Sequence, residues 1–283
     1  MAVSNKTWFI TGSSKGFGRL WAQAALERGD RVVATARNPA DLEPLAAEYG
    51  SDVLSIQLDV TDRDAVFATV RQAAEHFGTI DVLINNAGYG HFGMVEELTE
   101  TEIRSQLETN FFGALWVTQA VLPIMRAQRS GRILQITSEG GVRAFPGIGA
   151  YHASKWALEG LSESLWQEVE QFGIQVTNVE PGPYDTDWLA TGSRTSAVDS
   201  AYDVVRAATA GGFDVGDPAA TSAAILQLVD TDRAPHRLFL GKTYNDIVPI
   251  YQDRLDTWWR WQPTALAAFG HSAHTATIQG EHL

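Results

Sequence analysis

Short, almost continuously apolar runs alternate along the chain with longer stretches whose apolar positions recur every three or four residues. Trp8 to Thr11, Arg31 to Ala36, Val53 to Leu58, Val82 to Asn85, Ile133 to Thr137, Val176 to Val179 and Leu238 to Leu240 read as strands. A strand with one wet face alternates apolar and polar residues. Most of these do not, which indicates parallel strands covered on both sides. Between them, Phe17 to Glu27, Thr61 to Phe77 (capped by Thr61 and stopped by Gly78), Thr101 to Met125 and Ser154 to Phe172 read as helices. In the last, Leu158, Leu161, Leu165, Val169 and Phe172 share one face, and Gly173 ends it. Strand and helix repeated in this way predict an α/β fold: a single Rossmann-type domain over residues 1–240, with a doubly wound parallel sheet of about seven strands and helices on both faces.

Two segments do not serve the sheet. Residues 185–215 follow a strand's carboxyl end, the edge where open α/β sheets bind ligands, and Thr191 to Ser196 is small and polar. The segment therefore reads as a mobile substrate-binding flap. Residues 241–283 carry Trp258, Trp259 and Trp261 beside Tyr244 and Tyr251. They are expected to form an aromatic extension packed on the same domain or on a neighbouring subunit, with an aromatic wall over the substrate pocket as the sharper alternative. His271, His274 and His282 lie in a polar end whose spacing makes no metal site, so no metal is expected.

Composition narrows the partners. The formal charge of −13 repels phosphate backbones, so nucleic acid is not an expected partner. The absence of cysteine rules out disulfides and thiolate metal sites and fits a reducing compartment. Met1 to Thr11 has no basic region followed by an apolar stretch, and no apolar run is long enough to span a bilayer. The expectation is a cytoplasmic protein with no membrane partner.

The first strand runs into Thr11-Gly12-Ser13-Ser14-Lys15-Gly16-Phe17-Gly18. Glycines allow a tight turn and bring backbone N–H groups close to a pyrophosphate, while the following helix directs its positive end at the phosphates. This spacing resembles the classical short-chain dehydrogenase/reductase family, and later motifs follow in that family's order. Asp59-Val60 match its adenine-contacting pair, although Asp59 also fits an acidic residue before a helix. Asn85-Asn86-Ala87-Gly88 matches the segment that lies along the cofactor, and Pro181-Gly182 with Thr186 matches the part that contacts the nicotinamide carboxamide. The resemblance covers roughly residues 6–240 and implies a homodimer or homotetramer.

The second strand ends in Ala36-Arg37. An acidic residue there would bind a ribose 2′-hydroxyl and repel a 2′-phosphate. Ala36 offers no such group, and Lys15 and Arg37 supply positive charge at positions that the resemblance associates with NADP. NADP(H) is the expected cofactor.

Tyr151 and Lys155 are four residues apart, on one face of a helix. A nearby ammonium favours phenolate and draws a tyrosine, ordinarily near pKa ~10, toward working pH. Ser138 stands thirteen residues before Tyr151, the family's separation, and can hold a substrate oxygen. Asn110 lies within a long apolar helix, where an amide needs partners. In relatives it holds a relay water for the lysine. The resemblance makes Asn110, Ser138, Tyr151 and Lys155 the catalytic group, with Tyr151 as general acid/base, and gives Lys155 a second role on the nicotinamide ribose. Phe92, Met94, Phe145, Tyr184 and Trp188 are the candidates for an apolar substrate pocket.

These residues predict an oxidoreductase acting on a bulky, hydrophobic carbonyl or secondary alcohol. The stretch from Tyr151 to Leu165 resembles hydroxysteroid and retinol dehydrogenases in particular. A non-catalytic NADP(H)-binding regulator is the alternative, disfavoured by the intact catalytic group. An epimerase or dehydratase would have a different phosphate loop and a longer substrate domain.

Overall fold

All seven expected strands form, each within a few residues of its expected bounds. The computed structural model describes residues 5–188, 192–212 and 214–270. His271, His274, His282 and Thr191 lie outside them. In chain order the strands are β1 (Thr7–Ile10), β2 (Arg31–Ala36), β3 (Val53–Gln57), β4 (Val82–Asn85), β5 (Gly90–Phe92), β6 (Gly131–Ile136), β7 (Ile174–Pro181), β8 (Ser193–Thr195) and β9 (Arg237–Leu240). The main sheet has seven strands in the order β3-β2-β1-β4-β6-β7-β9, and every pairing in it is parallel. The chain works outward from β1 to β3, then returns to the other side of β1 as β4. That reversal opens a crevice at the carboxyl ends of β1 and β4.

The helices are α1 (Gly16–Glu27), α2 (Glu43–Tyr49), α3 (Arg63–Phe77), α4 (Glu100–Leu107), α5 (Gly113–Gln128), α6 (Gly149–Val169), α7 (Asp203–Thr209), α8 (Thr221–Asp230) and α9 (Tyr244–Phe269). Period-two alternation along the strands feeds two separate cores. Trp8, Ile10, Val32, Ala34, Val82, Ile84 and Val179 face one side, packed with Trp21 and Ala25 of α1 and with Ile225 and Leu228 of α8. Phe9, Val33, Leu83, Ile133 and Val176 face the other, packed with Val66 and Val70 of α3, Val117 and Val121 of α5, and Leu165 of α6.

Several local expectations are corrected. Thr61 does not cap α3. Asp62 does, accepting from the Ala65 N–H at 3.0 Å, while Thr61 donates to Asp59 Oδ1 at 2.8 Å. The long helix expected over 101–125 is two helices joined by a π turn, Glu108–Phe112, which contains Asn110. Helix α6 starts at Gly149 rather than Ser154, so Tyr151 is helical as its pairing with Lys155 requires. The segment expected to be loop-like contains β8, which pairs in parallel with β5. Arg206 of α7 bonds Glu97 at 2.7 Å, and the Ser196 hydroxyl donates to Glu102 at 3.0 Å. The described part of this segment is thus tied down at several points.

Contacts divide the chain into a body ending at Thr243 and a segment beginning at Tyr244. Within the latter, α9 exposes Trp258, Trp259 and Trp261. Among the described residues, no helix is long and apolar enough to cross a membrane, and no cluster of histidine and carboxylate side chains could hold a metal ion.

Leu83 is fully buried on a central strand of the sheet. Leu83→Ala is expected to lower unfolding free energy by about 2–5 kcal/mol through lost burial and the cavity left behind. Denaturant unfolding should show a lower midpoint at unchanged slope.

Candidate active site

The phosphate loop is fixed by contacts too close to admit side chains. Gly12 has φ +69°, and a methyl group there would stand 3.0 Å from the Ala87 Cα. A methyl on Gly18 would overlap the Gly12 carbonyl oxygen and the Asn86 amide. Asn86 Nδ2 donates to the carbonyls of Thr11 and Gly12, both at 3.0 Å, and the Thr11 hydroxyl accepts from the N–H groups of Asn86 and Ala87. The end of β4 therefore clamps the loop. The N-cap of α1 is Lys15, whose side chain does not cap the first turn, so the helix directs the positive end of its dipole at the crevice. This narrow, donor-rich cradle fits a dinucleotide pyrophosphate.

Other expected cofactor residues meet this crevice. Ser14 lies in the loop itself, and Gly16 has φ +55° with Thr186 packed 3.9 Å from where its side chain would begin. Gly182 and Pro181 leave β7 beside Ser138, whose hydroxyl donates to the Pro181 carbonyl at 3.4 Å. Arg37 is exposed just past β2, close enough for its charge to act on the Tyr89 phenol. Val60 turns its side chain into the core against Gly113, leaving only its backbone for a ligand.

At the neighbouring strand ends, Tyr151 and Lys155 meet Ser138. The phenol is buried and close enough to the Ser138 hydroxyl for that group to pull its pKa down. Lys155 Nζ is buried, donates to the Ile136 carbonyl at 2.7 Å and lies 5.7 Å from the centre of the Tyr151 ring. Asn110 Nδ2 donates to the Tyr89 carbonyl at 3.0 Å and to the Ser154 hydroxyl at 3.1 Å, while its Oδ1 accepts from the Tyr89 N–H. A methyl on Gly88 would stand 3.1 Å from Asn110 Oδ1 and 3.7 Å from Lys155 Nζ, so both groups converge there.

Burial dominates the electrostatics. It pushes the Tyr151 phenol up to about 12, against the pull of the Ser138 hydroxyl, and Glu139 adds to the rise. It brings the Lys155 ammonium down to about 8, with Glu159 opposing. Lys155 is expected to depress the Tyr151 pKa, but its ammonium is turned toward the Ile136 carbonyl and burial of the phenol prevails.

The aromatic candidates divide. Trp188 packs edge-on to Tyr151 at 5.3 Å and to Phe92 at 5.8 Å. Phe145 contacts His152 at 4.8 Å, and Met94 is buried near Gly147. Tyr184 turns away from this group and packs on Phe17, which stacks on Trp21 at 5.0 Å.

The family model for short chain dehydrogenases matches residues 6–197. The chain is a member of that family. This dehydrogenase is 42% identical over 243 residues to Oxidoreductase BOA17 of Botryotinia fuckeliana, an alignment covering 83% of this chain and 89% of that protein. A solved short-chain dehydrogenase from Streptomyces avermitilis superposes with a TM-score of 0.87 at 39% identity, covering 93% of this chain and 98% of its own. An alcohol dehydrogenase from Thermococcus sibiricus, solved in complex with 5-hydroxy-NADP, gives a TM-score of 0.71 at 27% identity over 83% of this chain and 95% of its own. The protein is thus an oxidoreductase whose fold binds a nicotinamide cofactor.

His152 lies outside the motifs that mark the site in the sequence, yet it shapes the site. The Phe145 N–H donates to His152 Nε2 at 3.0 Å, so Nδ1 carries the proton and donates to the Gly140 carbonyl at 2.9 Å. The ring thereby pins the loop after Ser138 onto α6. Asn85 is part of a motif, and its Nδ2 ties β4 to Ala114, Thr118 and Gln135.

Burial lowers the His152 pKa from 6.5. Because the unfolded chain then takes up the proton first, the imidazole's contribution to stability is present above 6.5 and shrinks as pH falls below it. Acidification across that value should lower the Tm more in the wild type than in His152→Gln, by roughly 2–4 °C per kcal/mol withdrawn. Equal losses in melting curves of the two proteins would exclude this role.

Proposed function

We propose that this short-chain dehydrogenase is an NADP(H)-dependent carbonyl reductase, with Tyr151 as its acid. The observation that carries the reading is a buried Tyr151 phenol, kept protonated by its surroundings, within the influence of the Ser138 hydroxyl and flanked by Lys155. A group held in its acid form is suited to proton donation.

When bound, the nicotinamide supplies a hydride to a carbonyl carbon, or takes one from an alcohol. Tyr151 gives its proton to the substrate oxygen, which the Ser138 hydroxyl steadies as charge develops. The phenolate left behind is offset by the Lys155 ammonium. Asn110 Oδ1 keeps a second lone pair on the side where Gly88 adjoins both it and Lys155, which suits a relay water. Trp188 and Phe92, next to Tyr151, favour a bulky apolar substrate. The cradle of Gly12, Gly16 and Gly18 would hold the pyrophosphate, and Lys155 the nicotinamide ribose. Lys15 and Arg37, with Ala36 offering no carboxylate, favour a 2′-phosphate, and the alcohol dehydrogenase relative solved with 5-hydroxy-NADP is consistent with that preference.

The test is NADPH oxidation with a panel of aromatic, aliphatic and steroid-like ketones. Tyr151→Phe is expected to lower kcat by about 10²–10⁴-fold while leaving NADPH affinity near that of the wild type. Tight NADPH binding without turnover on any ketone, or on the matching alcohols with NADP⁺, would favour a regulatory protein instead. Separately, Ala36→Asp should move the NADP/NAD preference toward NAD by at least about tenfold. An unchanged ratio of kcat/KM values would remove this account of cofactor choice.

A further inference from the structure

Behind Lys155 lies a buried set of charges that the reaction as described does not use. Ile174, Val176, Asn178 and Glu180 alternate onto the face of β7 that supports α6, and the row changes from apolar to polar toward the site. Glu180 is fully buried. Glu159, one helical turn beyond Lys155 on α6, is 4% exposed and packs beneath Gly141. Arg237 of β9 clasps both carboxylates with one nitrogen: Nη1 donates to Glu159 Oε2 at 2.5 Å and to Glu180 Oε1 at 2.7 Å. Its Nη2 meets Glu163 at 2.5 Å, nearer solvent. Asn178 Nδ2 also donates to Glu159 Oε2.

Two oxygens held by one nitrogen at these distances lie within about 5 Å of each other, and two full charges that close in a dry site repel strongly. The acceptors also outnumber the donors: Glu159 Oε1, Glu180 Oε2 and Asn178 Oδ1 are all buried without a hydrogen-bond partner. One proton on the carboxylate pair removes the excess charge and gives one of these acceptors its missing donor.

We propose that Glu159 and Glu180 share one proton in the resting protein, and that Glu159 is a positioning residue whose charge keeps Lys155 as an ammonium. The proposal rests on the role given to Lys155 above. With every group ionised, Glu159, Glu163 and Glu180 face Arg237 and Lys155, three negative charges against two positive. Thr137 at the end of β6 is near enough for its hydroxyl dipole to act on Glu159, but that hydroxyl donates to the Val179 carbonyl at 3.0 Å. From the turn after β6, Glu139 is occupied by Arg143 at 2.7 Å, and Asn110 of the π turn is neutral. Burial, and after it Glu159, pushes Glu180 up to about 7, below the value of about 8 for Lys155. As pH rises, the pair therefore gives up its proton first, to water at the edge where Glu163 and Arg237 are part exposed. The negative charge behind the site then grows just before Lys155 would lose its own proton, which extends the alkaline range over which the ammonium persists.

Two substrate-free measurements test this. In protein labelled with ¹³C-lysine, the Lys155 signal is the one lost in Lys155→Met. Its titration midpoint should fall by about one pH unit in Glu159→Gln and return in Glu159→Asp, which keeps the charge. An unchanged midpoint in Glu159→Gln would overturn the positioning role. In the wild type, infrared difference spectra should show a protonated carboxylic acid that disappears as pH passes about 7, and Glu180→Gln should lack it. Absence of that band from the wild type overturns the shared proton whether or not the variants fold. With a ketone substrate, the alkaline limb of kcat/KM should shift together with the lysine signal. Failure to reduce any ketone would count against the carbonyl reductase reading alone, because both spectroscopic readouts stand without turnover.

Discussion

Gly18 at the start of α1 touches the carbonyl of Gly12 and the amide of Asn86 so closely that no side chain fits between them. That approach joins the first turn of α1 to the ends of β1 and β4, the two strands between which the sheet changes direction. The donors at this junction are backbone groups, which cannot rotate away, and Asn86 fixes their carbonyls from behind. From there the chain passes through Gly88 to the point where Asn110 and Lys155 converge. The glycine-lined cradle and the convergence of Asn110 and Lys155 lie along one backbone path.

The fold was legible because both faces of the sheet are buried: strands such as Val82–Asn85 are apolar up to a single closing polar residue, the pattern of a parallel strand covered on both sides. The phosphate loop and the Ser138, Tyr151 and Lys155 set were legible from spacing, because strand ends and a helical turn fix the distances between their side chains. What the sequence concealed depends on three-dimensional company. The π turn at Asn110 has no propensity signal of its own. β5 and β8 are too short to announce themselves, and each forms only because the other is near. Asp62 rather than Thr61 caps α3 because Thr61 is already engaged with Asp59. Tyr184, judged by position in the chain, belonged with Trp188, but rotation of the strand end delivers it to Phe17. The Glu159, Glu180 and Arg237 cluster was invisible because its members come from one helix and two strands, and none has a distinctive neighbour in sequence.

Desolvation acts in opposite directions on the two central groups. The same burial that keeps the Tyr151 phenol protonated makes the Lys155 ammonium easier to discharge. A site that needs both a neutral acid and a nearby cation must therefore be dry on one side and supported by charge on the other. His152 illustrates the neutral solution: an uncharged ring, satisfied at both nitrogens, holds the loop that presents Ser138 without adding a charge to the pocket.

The ribbon formed by β5 and β8 attaches the segment around Trp188 through main-chain pairing, at Gly90 to Phe92 against Ser193 to Thr195. Main-chain pairing is indifferent to most side-chain identities. Side chains carried on this ribbon can change size and polarity while their anchorage stays the same. In evolutionary terms, specificity and architecture are written in separate scripts here, which allows one scaffold to explore new substrates without relearning how to fold.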